Sequence, residues 1–201
     1  MYRAVALAAL RRGLRFPLEV ESEPEVVRLA EALQLRLETT PTGTRVFCFG
    51  EDVSEALRAP EVSRAASQVS AIPGVRRAMV ARQRELGRRA GGVLEGRDIG
   101  TVVFPDAALK VFLTARPEVR AQRRFEELRK RGVHVRWEDV VAEQRERDER
   151  DASRADSPLR PAVGAIILDT SDLTLHEVVQ KLYELALSVP VPLDRARPAH
   201  L

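Results

Sequence analysis

The residues best suited to chemistry lie between Leu94 and Pro105, a stretch that reads LEGRDIGTVVFP. Glycine on both sides of the pair Arg97 and Asp98 allows a sharp bend and a close approach of a ligand to the backbone. A guanidinium group is a planar fork that suits a phosphate, and a carboxylate accepts hydrogen bonds from a base or a sugar. We therefore expect a buried strand to end at Leu94 and a turn to present both side chains. The alternative is a tight turn with an exposed ion pair.

A second charged motif lies at Gln144–Arg154, which reads QRERDERDASR. On a helix, four of its residues fall at i, i+3, i+4 and i+7 and share one face. These are Arg147, Arg150, Asp151 and Arg154. Without other information, a solvated helix with salt bridges would be the favoured explanation of this pattern.

Together the two motifs resemble the bacterial cytidylate kinases, which carry (E/D)GRD(I/M)GTVVFPDA and, further along, RxxRDxxR. The resemblance implies that Arg97 binds the acceptor monophosphate. It implies that Arg147 and Asp151 contact the pentose hydroxyls and the transferring phosphates, and that Arg154 faces the acceptor nucleotide.

Two further segments extend the resemblance. The start MYRA is similar to SGxxYRA of the family, which implies that Arg3 binds the monophosphate and that Tyr2 packs nearby. The run ASQV followed by Pro73 and VR implies that Ser67 and Arg76 help to recognise cytosine together with Asp98. Their donors and acceptors complement the edges of that base.

A cluster of basic residues precedes Gly132 and predicts either a solvated cationic helix or a lid that closes over a triphosphate. It consists of Arg120, Arg123, Arg124, Arg129, Lys130 and Arg131. We favour Arg123 and Arg124 as the ATP contacts.

The implied reaction transfers the γ-phosphate of ATP to CMP or dCMP with Mg²⁺, and Arg3, Arg97 and Arg147 would be its catalytic residues. The expected partners are CMP or dCMP and ATP, with no nucleic acid and no membrane, in a cytoplasmic monomer. One alternative is a catalytically dead remnant that binds CMP. Another is an arginine-rich RNA-binding module, which the low aromatic fraction of 4% disfavours because stacking platforms are scarce.

The phosphate loop of such kinases, G-x-x-x-x-G-K-[ST], does not occur in the sequence. We expect it to precede Met1 by roughly 30 residues, about one βα unit, in a longer natural protein. The alternative expectation is a chain that has lost its donor site. For the 201 residues alone we expect little or no catalysis.

Strands that alternate with helices predict an α/β fold with a doubly wound parallel sheet. The resemblance implies that this fold is like that of the P-loop kinases and that its first strand, phosphate loop and first helix are missing from the 201 residues. We expect core strands at Val93–Leu94, 108–113 and 166–168. A capping box at Ser22 should open the second helix. The resemblance implies a nucleoside-monophosphate-binding (NMP-binding) part at 1–90 with an antiparallel insert at about 35–49, a core at 91–118 and 156–187, and a helical lid with the arginine-rich helix at 119–155. A disordered tail is predicted at 188–201.

Composition adds a few limits. The net charge is +3, and the basic residues are almost all arginine. Cys48 is the only cysteine, so an intrachain disulfide and a cysteine-based metal site are excluded, and a buried position in a strand is expected. No membrane span or signal peptide is predicted.

Overall fold

A computed structural model describes residues 1–41, 43–154 and 157–190, and these form helices and two small β-sheets. The described helices are α1 (Tyr2–Arg11), α2 (Glu23–Ala32), α3 (Pro60–Val69), α4 (Pro73–Ala90), α5 (Pro117–Lys130), α6 (Trp137–Ser153) and α7 (Leu175–Ser188), with short 3₁₀ turns at Val20–Ser22 and Ala56–Arg58. The described strands are β1 (Leu35–Thr40), β2 (Gly43–Cys48), β3 (Glu51–Asp52), β4 (Val111–Thr114) and β5 (Ile166–Asp169).

The chain divides into two compact units. The first consists of Met1–Gly96 and Arg154–Pro158. The second consists of Arg97–Ser153 and the described chain from Leu159 onward.

The core of the first unit is formed by small and branched side chains from the helices α1 to α4. The fully buried members include Ala4, Val5, Val26, Ala30, Val62, Ala65, Val69, Val75 and Met79. Gly74 shows how closely α4 and α2 approach, because a Cβ added there would lie 2.7 Å from Cγ2 of Val27. A side chain at this position would therefore push the two helices apart.

The predicted antiparallel insert is present and is larger than expected. Strands β1 and β2 pair from Leu35 opposite Cys48 to Thr40 opposite Gly43. The two-residue strand β3 then pairs with the end of β2 and extends the sheet to Asp52. Cys48 is buried in β2, with 7% of its surface exposed, as predicted.

The second unit contains a parallel pair of strands. Strands β4 and β5 run in register from Val111 opposite Ile166 to Thr114 opposite Asp169, which confirms a parallel sheet with helices and the short apolar strand at 166–168. Several apolar side chains of β4, β5 and α7 are exposed, among them Leu113 (51%), Ile167 (62%) and Tyr183 (59%).

The predicted strand at Val93–Leu94 is wrong. These residues have no regular structure, and Val93 is fully exposed. Gly91 and Gly92 before them have positive φ angles of 62° and 106°, a conformation outside the β region. An apolar pair alone does not make a strand, because a strand is defined by hydrogen bonds to a neighbour.

The predicted capping box of α2 is also wrong. Ser22 precedes the helix, but its side chain makes no capping hydrogen bond. It already has helical angles (φ −86°, ψ −12°) because it ends the 3₁₀ turn Val20–Ser22, whereas a capping residue normally has an extended backbone.

Most of the predicted tail lies outside the described residues, since α7 continues to Ser188 and the description ends at residue 190. Within the described ranges, no helix combines the length and apolar character that crossing a membrane requires.

Candidate functional site

The segment that carries Arg97 and Asp98 leads into a turn of π-helix. Residues 96–98 form a bend, and the π-helical turn spans Ile99–Val103. The carbonyl of Asp98 accepts hydrogen bonds from the backbone N–H of Val102 (2.9 Å) and of Val103 (3.2 Å). The apolar run after Asp98 is therefore helical. Single π turns of this kind are frequent at functional sites.

Close packing around this turn depends on Gly100. A Cβ at this position would lie 3.2 Å from Cβ of Ala162 and 3.4 Å from the side chain of Lys110. The turn is thus held against the chain before β5, and Asp98, at its start, is 4% exposed. Its burial restricts the carboxylate to a single environment, as recognition of one base would require.

A buried carboxylate on α6 gathers two arginines of the second unit. Asp151 is 1% exposed, and its Oδ2 lies 3.1 Å from Nε of Arg97 and 4.0 Å from Nε of Arg147. The arginine side chains are 39% and 43% exposed. The backbone carbonyl of Asp151 also accepts a hydrogen bond from the N–H of Leu159 (2.8 Å). The fixed anion thus holds two cations that remain accessible to an anionic ligand.

In the first unit, the end of α3 connects three of the predicted site residues. Ser70, the C-cap of α3, accepts a hydrogen bond at its backbone carbonyl from Nη1 of Arg76 (3.1 Å). Its hydroxyl accepts one from Nη2 of Arg154 (3.0 Å) and donates one to the carbonyl of Ser67 (2.8 Å). Arg76 is 2% exposed. The carbonyl end of a helix carries partial negative charge, so it is a favourable place for two guanidinium groups.

Helix α1 places Tyr2 and Arg3 in the same unit. The ring centroid of Tyr2 lies 5.9 Å from Cζ of Arg76, which is within cation–π range. Nη1 of Arg3 donates a hydrogen bond to the carbonyl of Leu57 (3.1 Å). Tyr2, which was expected to pack near the monophosphate site, contacts Arg76 in the first unit.

Of the two predicted lid arginines, Arg123 makes long-range contacts and Arg124 a local one. Arg123 donates to Oγ1 of Thr170 (2.9 Å), to the carbonyl of Thr170 (2.5 Å) and to that of Leu173 (3.1 Å). Arg124 pairs with Glu127 one turn along α5 (2.8 Å). Burial alone would raise the pKa of Glu127, but hydrogen bonds and charge from Arg124 and Arg131 lower it overall.

The loop after β5 is held by further bonds to the end of β4 and to the residue that precedes α5. Thr170, 6% exposed, donates through its hydroxyl to the carbonyl of Thr114 (3.0 Å). Arg116 forms a bidentate pair with Asp172 at 2.6 and 3.0 Å. At the far end of the loop, Thr174 and Glu177 form a capping box that begins α7. These contacts fix the loop to which Arg123 is bound.

Sequence reasoning missed Ser70 and Thr170. Ser70 follows Ser67 closely in the sequence and has no feature that distinguishes it from other serines. Thr170 directly follows the apolar strand β5, at the carboxyl end of parallel strands, where ligand-binding residues of open α/β sheets collect. That position is a usable signal for Thr170, whereas the role of Ser70 becomes visible only in three dimensions.

Mg²⁺ is the metal that the family resemblance implies, and it prefers oxygen ligands, often phosphates with one or two carboxylates. Among residues 1–41, 43–154 and 157–190, no three His, Cys, Asp or Glu side chains lie close enough together to hold a metal ion. Asp98 and Asp151 are both buried, and Asp151 already faces two arginines.

Comparison with known proteins gives a consistent result. The family described as cytidylate kinase matches residues 1–188. The chain is 46% identical over 184 residues to a cytidylate kinase of Caldanaerobacter subterraneus subsp. tengcongensis, covering 92% of this chain and 79% of that protein. It is 48% identical over 183 residues to a cytidylate kinase of Pelotomaculum thermopropionicum, covering 90% of this chain and 79% of that protein.

A longer relative is the bifunctional pantoate ligase/cytidylate kinase of Synechococcus sp. (strain JA-3-3Ab), 48% identical over 203 residues. The alignment covers 100% of this chain and 36% of that protein, so the chain spans about a third of the length of this relative. The match over residues 1–188 includes both motifs and the buried Asp151 with its two arginines, and the chain belongs to the cytidylate kinase family.

Proposed function

We propose that the protein transfers the γ-phosphoryl group of ATP to CMP or dCMP and releases ADP with CDP or dCDP. The observation that carries the proposal is the buried carboxylate of Asp151, which holds Arg97 and Arg147 as a pair of accessible cations. Membership of the cytidylate kinase family supports the same reaction.

In this reaction an oxygen of the CMP phosphate attacks the γ-phosphorus of ATP. The bond from that phosphorus to the oxygen bridging to the β-phosphate breaks, and ADP leaves with the electron pair. The protein mainly positions the reactants and stabilises charge in such a transfer. Arg97 and Arg147 would neutralise the phosphates, and Arg3 would bind the acceptor monophosphate as a third cation.

Cytosine recognition is assigned to Ser67, Arg76 and Asp98. A guanidinium donates to the ring nitrogen and carbonyl of cytosine, and a carboxylate accepts from its exocyclic amine. Arg76 and Asp98 are 2% and 4% exposed. A base with a different arrangement of donors and acceptors would therefore fail to form the hydrogen bond that cytosine makes with one of these side chains. That cost is the physical basis of selectivity. Asp151 and Arg154 are assigned to the sugar and the acceptor side, and Tyr2 to packing beside Arg76.

Mg²⁺ enters the proposal bound to the phosphates of ATP, as part of the magnesium–ATP substrate, and we name no side chain of this chain as its ligand. Its charge would screen the phosphate oxygens from one another. Arg123 and Arg124 are assigned to ATP, with Arg123 also fixing the loop at Thr170. A cytoplasmic monomer that acts without nucleic acid or membrane is the remaining part of the proposal, and it rests on family membership alone.

The test is a coupled assay of ADP formation in the protein as its host makes it, with magnesium–ATP and each of CMP, dCMP, UMP and AMP. The expected result is turnover that depends on CMP or dCMP and is much slower with AMP. Calorimetric titration with CMP runs in parallel. If CMP binds but no ADP forms, the protein is a nucleotide-binding protein and not a kinase. If CMP neither binds nor supports turnover, the proposal is overturned.

A further inference from the structure

We propose that Ser70 is a positioning residue for the acceptor nucleotide, because it holds the guanidinium groups of Arg76 and Arg154 in place before CMP binds. The inference rests on the proposed function and names a residue that the sequence motifs do not contain. It follows from contacts within the first unit.

Ser70 caps α3 at its carboxyl terminus, and its N–H donates to the carbonyl of Ala66 (3.1 Å). The last carbonyls of a helix have no partner within it and carry partial negative charge. The Ser70 carbonyl finds a partner outside the helix, because it accepts a hydrogen bond from Arg76, which is almost fully buried.

The hydroxyl is the only part of Ser70 that a substitution can remove without changing the backbone. It accepts from Nη2 of Arg154 at 3.0 Å and donates to the carbonyl of Ser67 at 2.8 Å. Both of its hydrogen-bonding roles are thus used, although the residue is only 6% exposed. A buried hydroxyl oriented in this way fixes the arginine that it meets.

Arginine side chains lose considerable rotamer freedom when a ligand immobilises them. An arginine that is already held in the unliganded protein loses less on binding, which raises affinity. The hydroxyl of Ser70 therefore favours CMP binding through Arg154 without contact to the nucleotide, and it leaves the transfer step itself unaffected.

The experiment compares S70A with S63A in steady-state kinetics of the protein as its host makes it. Ser63 is the matched control because it lies on the same helix and its buried Oγ has no hydrogen-bond partner among the described residues. S70A should raise the KM for CMP about tenfold, the factor that one hydrogen bond to a charged group typically carries. The kcat and the KM for ATP should not change, and S63A should match the wild type in all three.

A double-mutant cycle separates positioning from a general loss of structure. In an Arg154→Met background, S70A should produce no further rise in the KM for CMP, since the partner of the hydroxyl is gone. An equal rise in both backgrounds, or an unchanged KM in S70A alone, would overturn the inference. If S70A does not fold, the isosteric pair S70T and S70V replaces it, and equal KM values in that pair would overturn it as well.

The outcomes for the two proposals differ. A wild type that fails to phosphorylate CMP overturns the proposed function and this inference with it. A wild type that does phosphorylate CMP, together with an S70A variant that behaves like S63A, leaves the function standing and removes Ser70 from it.

Discussion

Nε of Arg97 lies 3.1 Å from Oδ2 of Asp151, a carboxylate that is 1% exposed on α6. Nε of Arg147 faces the same oxygen from 4.0 Å. A single buried anion therefore sets the position of two cations that come from distant parts of the chain. Because both arginines are partly exposed, water can solvate them when the carboxylate charge is removed, but it cannot hold them in place.

This arrangement predicts a specific effect of Asp151→Asn. The variant keeps the shape of the side chain and removes its charge, so we expect kcat/KM for CMP to fall by about two orders of magnitude, roughly 2.7 kcal/mol. The free energy of unfolding should change far less. The control is Asp148→Asn, which lies on α6 like Asp151 and breaks a pair with Arg120 of α5 (2.8 Å). Equal losses of kcat/KM in both variants would show that the charge of Asp151 has no special role.

In the protein as its host makes it, Arg147→Ala should slow phosphoryl transfer because it removes a cation that would contact the phosphates. Each charge-assisted contact that it removes is worth about 1.5–3 kcal/mol, so the loss of transition-state stabilisation should reach several kcal/mol. Arg145→Ala is the matched control, because Arg145 pairs with Glu149 on the same helix and is 81% exposed. The measurement is kcat/KM for CMP in both variants. An Arg147→Ala enzyme with the kcat/KM of Arg145→Ala would exclude Arg147 from the mechanism.

The helices and the hairpin were predictable because their signals are local. Pro60 and Pro117 lie in the first turns of α3 and α5, and the turn at Pro41 separates two alternating strands. Pro73 begins α4, whereas the pair Pro73 and Gly74 was expected to separate two helices. These signals work because proline suits the first turn of a helix and is excluded from its interior. The strand at 166–168 followed from a short run that is apolar throughout, as expected for a parallel sheet.

The errors and omissions have non-local causes. The run Ile99–Val103 is short and apolar, a pattern that a strand and a helical turn share, and the hydrogen bonds to the Asp98 carbonyl decide between them. Val93 has the composition of a strand without the pairing that defines one. Ser70 meets Arg154 across 84 positions of sequence, and no local pattern encodes such a contact.

Arg76 gives a test of base selectivity. We expect Arg76→Met, which keeps the apolar stem, to lower the preference for CMP over UMP more than it lowers kcat. The reason is that a buried donor group discriminates by remaining unpaired with the wrong base. The measurement is the ratio of kcat/KM values for CMP and UMP. The control is Arg77→Met, the next residue on α4, which is exposed. A selectivity that stays at the wild-type value would remove Arg76 from base recognition.

Arg123→Met and Arg124→Met should lower the free energy of unfolding by different amounts. Arg123→Met removes three hydrogen bonds to Thr170 and Leu173, and we expect the free energy of unfolding to fall by about 2 kcal/mol. Arg124→Met removes a helical pair with Glu127 and should cost less than about 0.5 kcal/mol. Denaturant unfolding measures both. Equal losses in the free energy of unfolding would mean that the hydrogen bonds from Arg123 to the loop contribute no net stability. A raised KM for ATP in Arg123→Met would show that Arg123 also contacts ATP.

Asp52 provides a prediction about pH. Hydrogen bonds from the side chain and backbone of Ser54, then from Arg45, lower the pKa of the Asp52 carboxyl from 3.8 to about 2. Because the folded state has the lower pKa, the stabilisation is fully present above pH 3.8 and is lost as the pH falls through about 2. Ser54→Ala should raise the pKa of Asp52 toward its ordinary value, since the Ser54 hydroxyl is the largest cause. Arg45→Ala should raise it less. Carboxyl ¹³C chemical shifts followed from pH 5 to about pH 1.5, a window that brackets both values, measure the effect. A larger shift in Arg45→Ala would mean that charge, and not the serine hydroxyl, dominates at the end of β3.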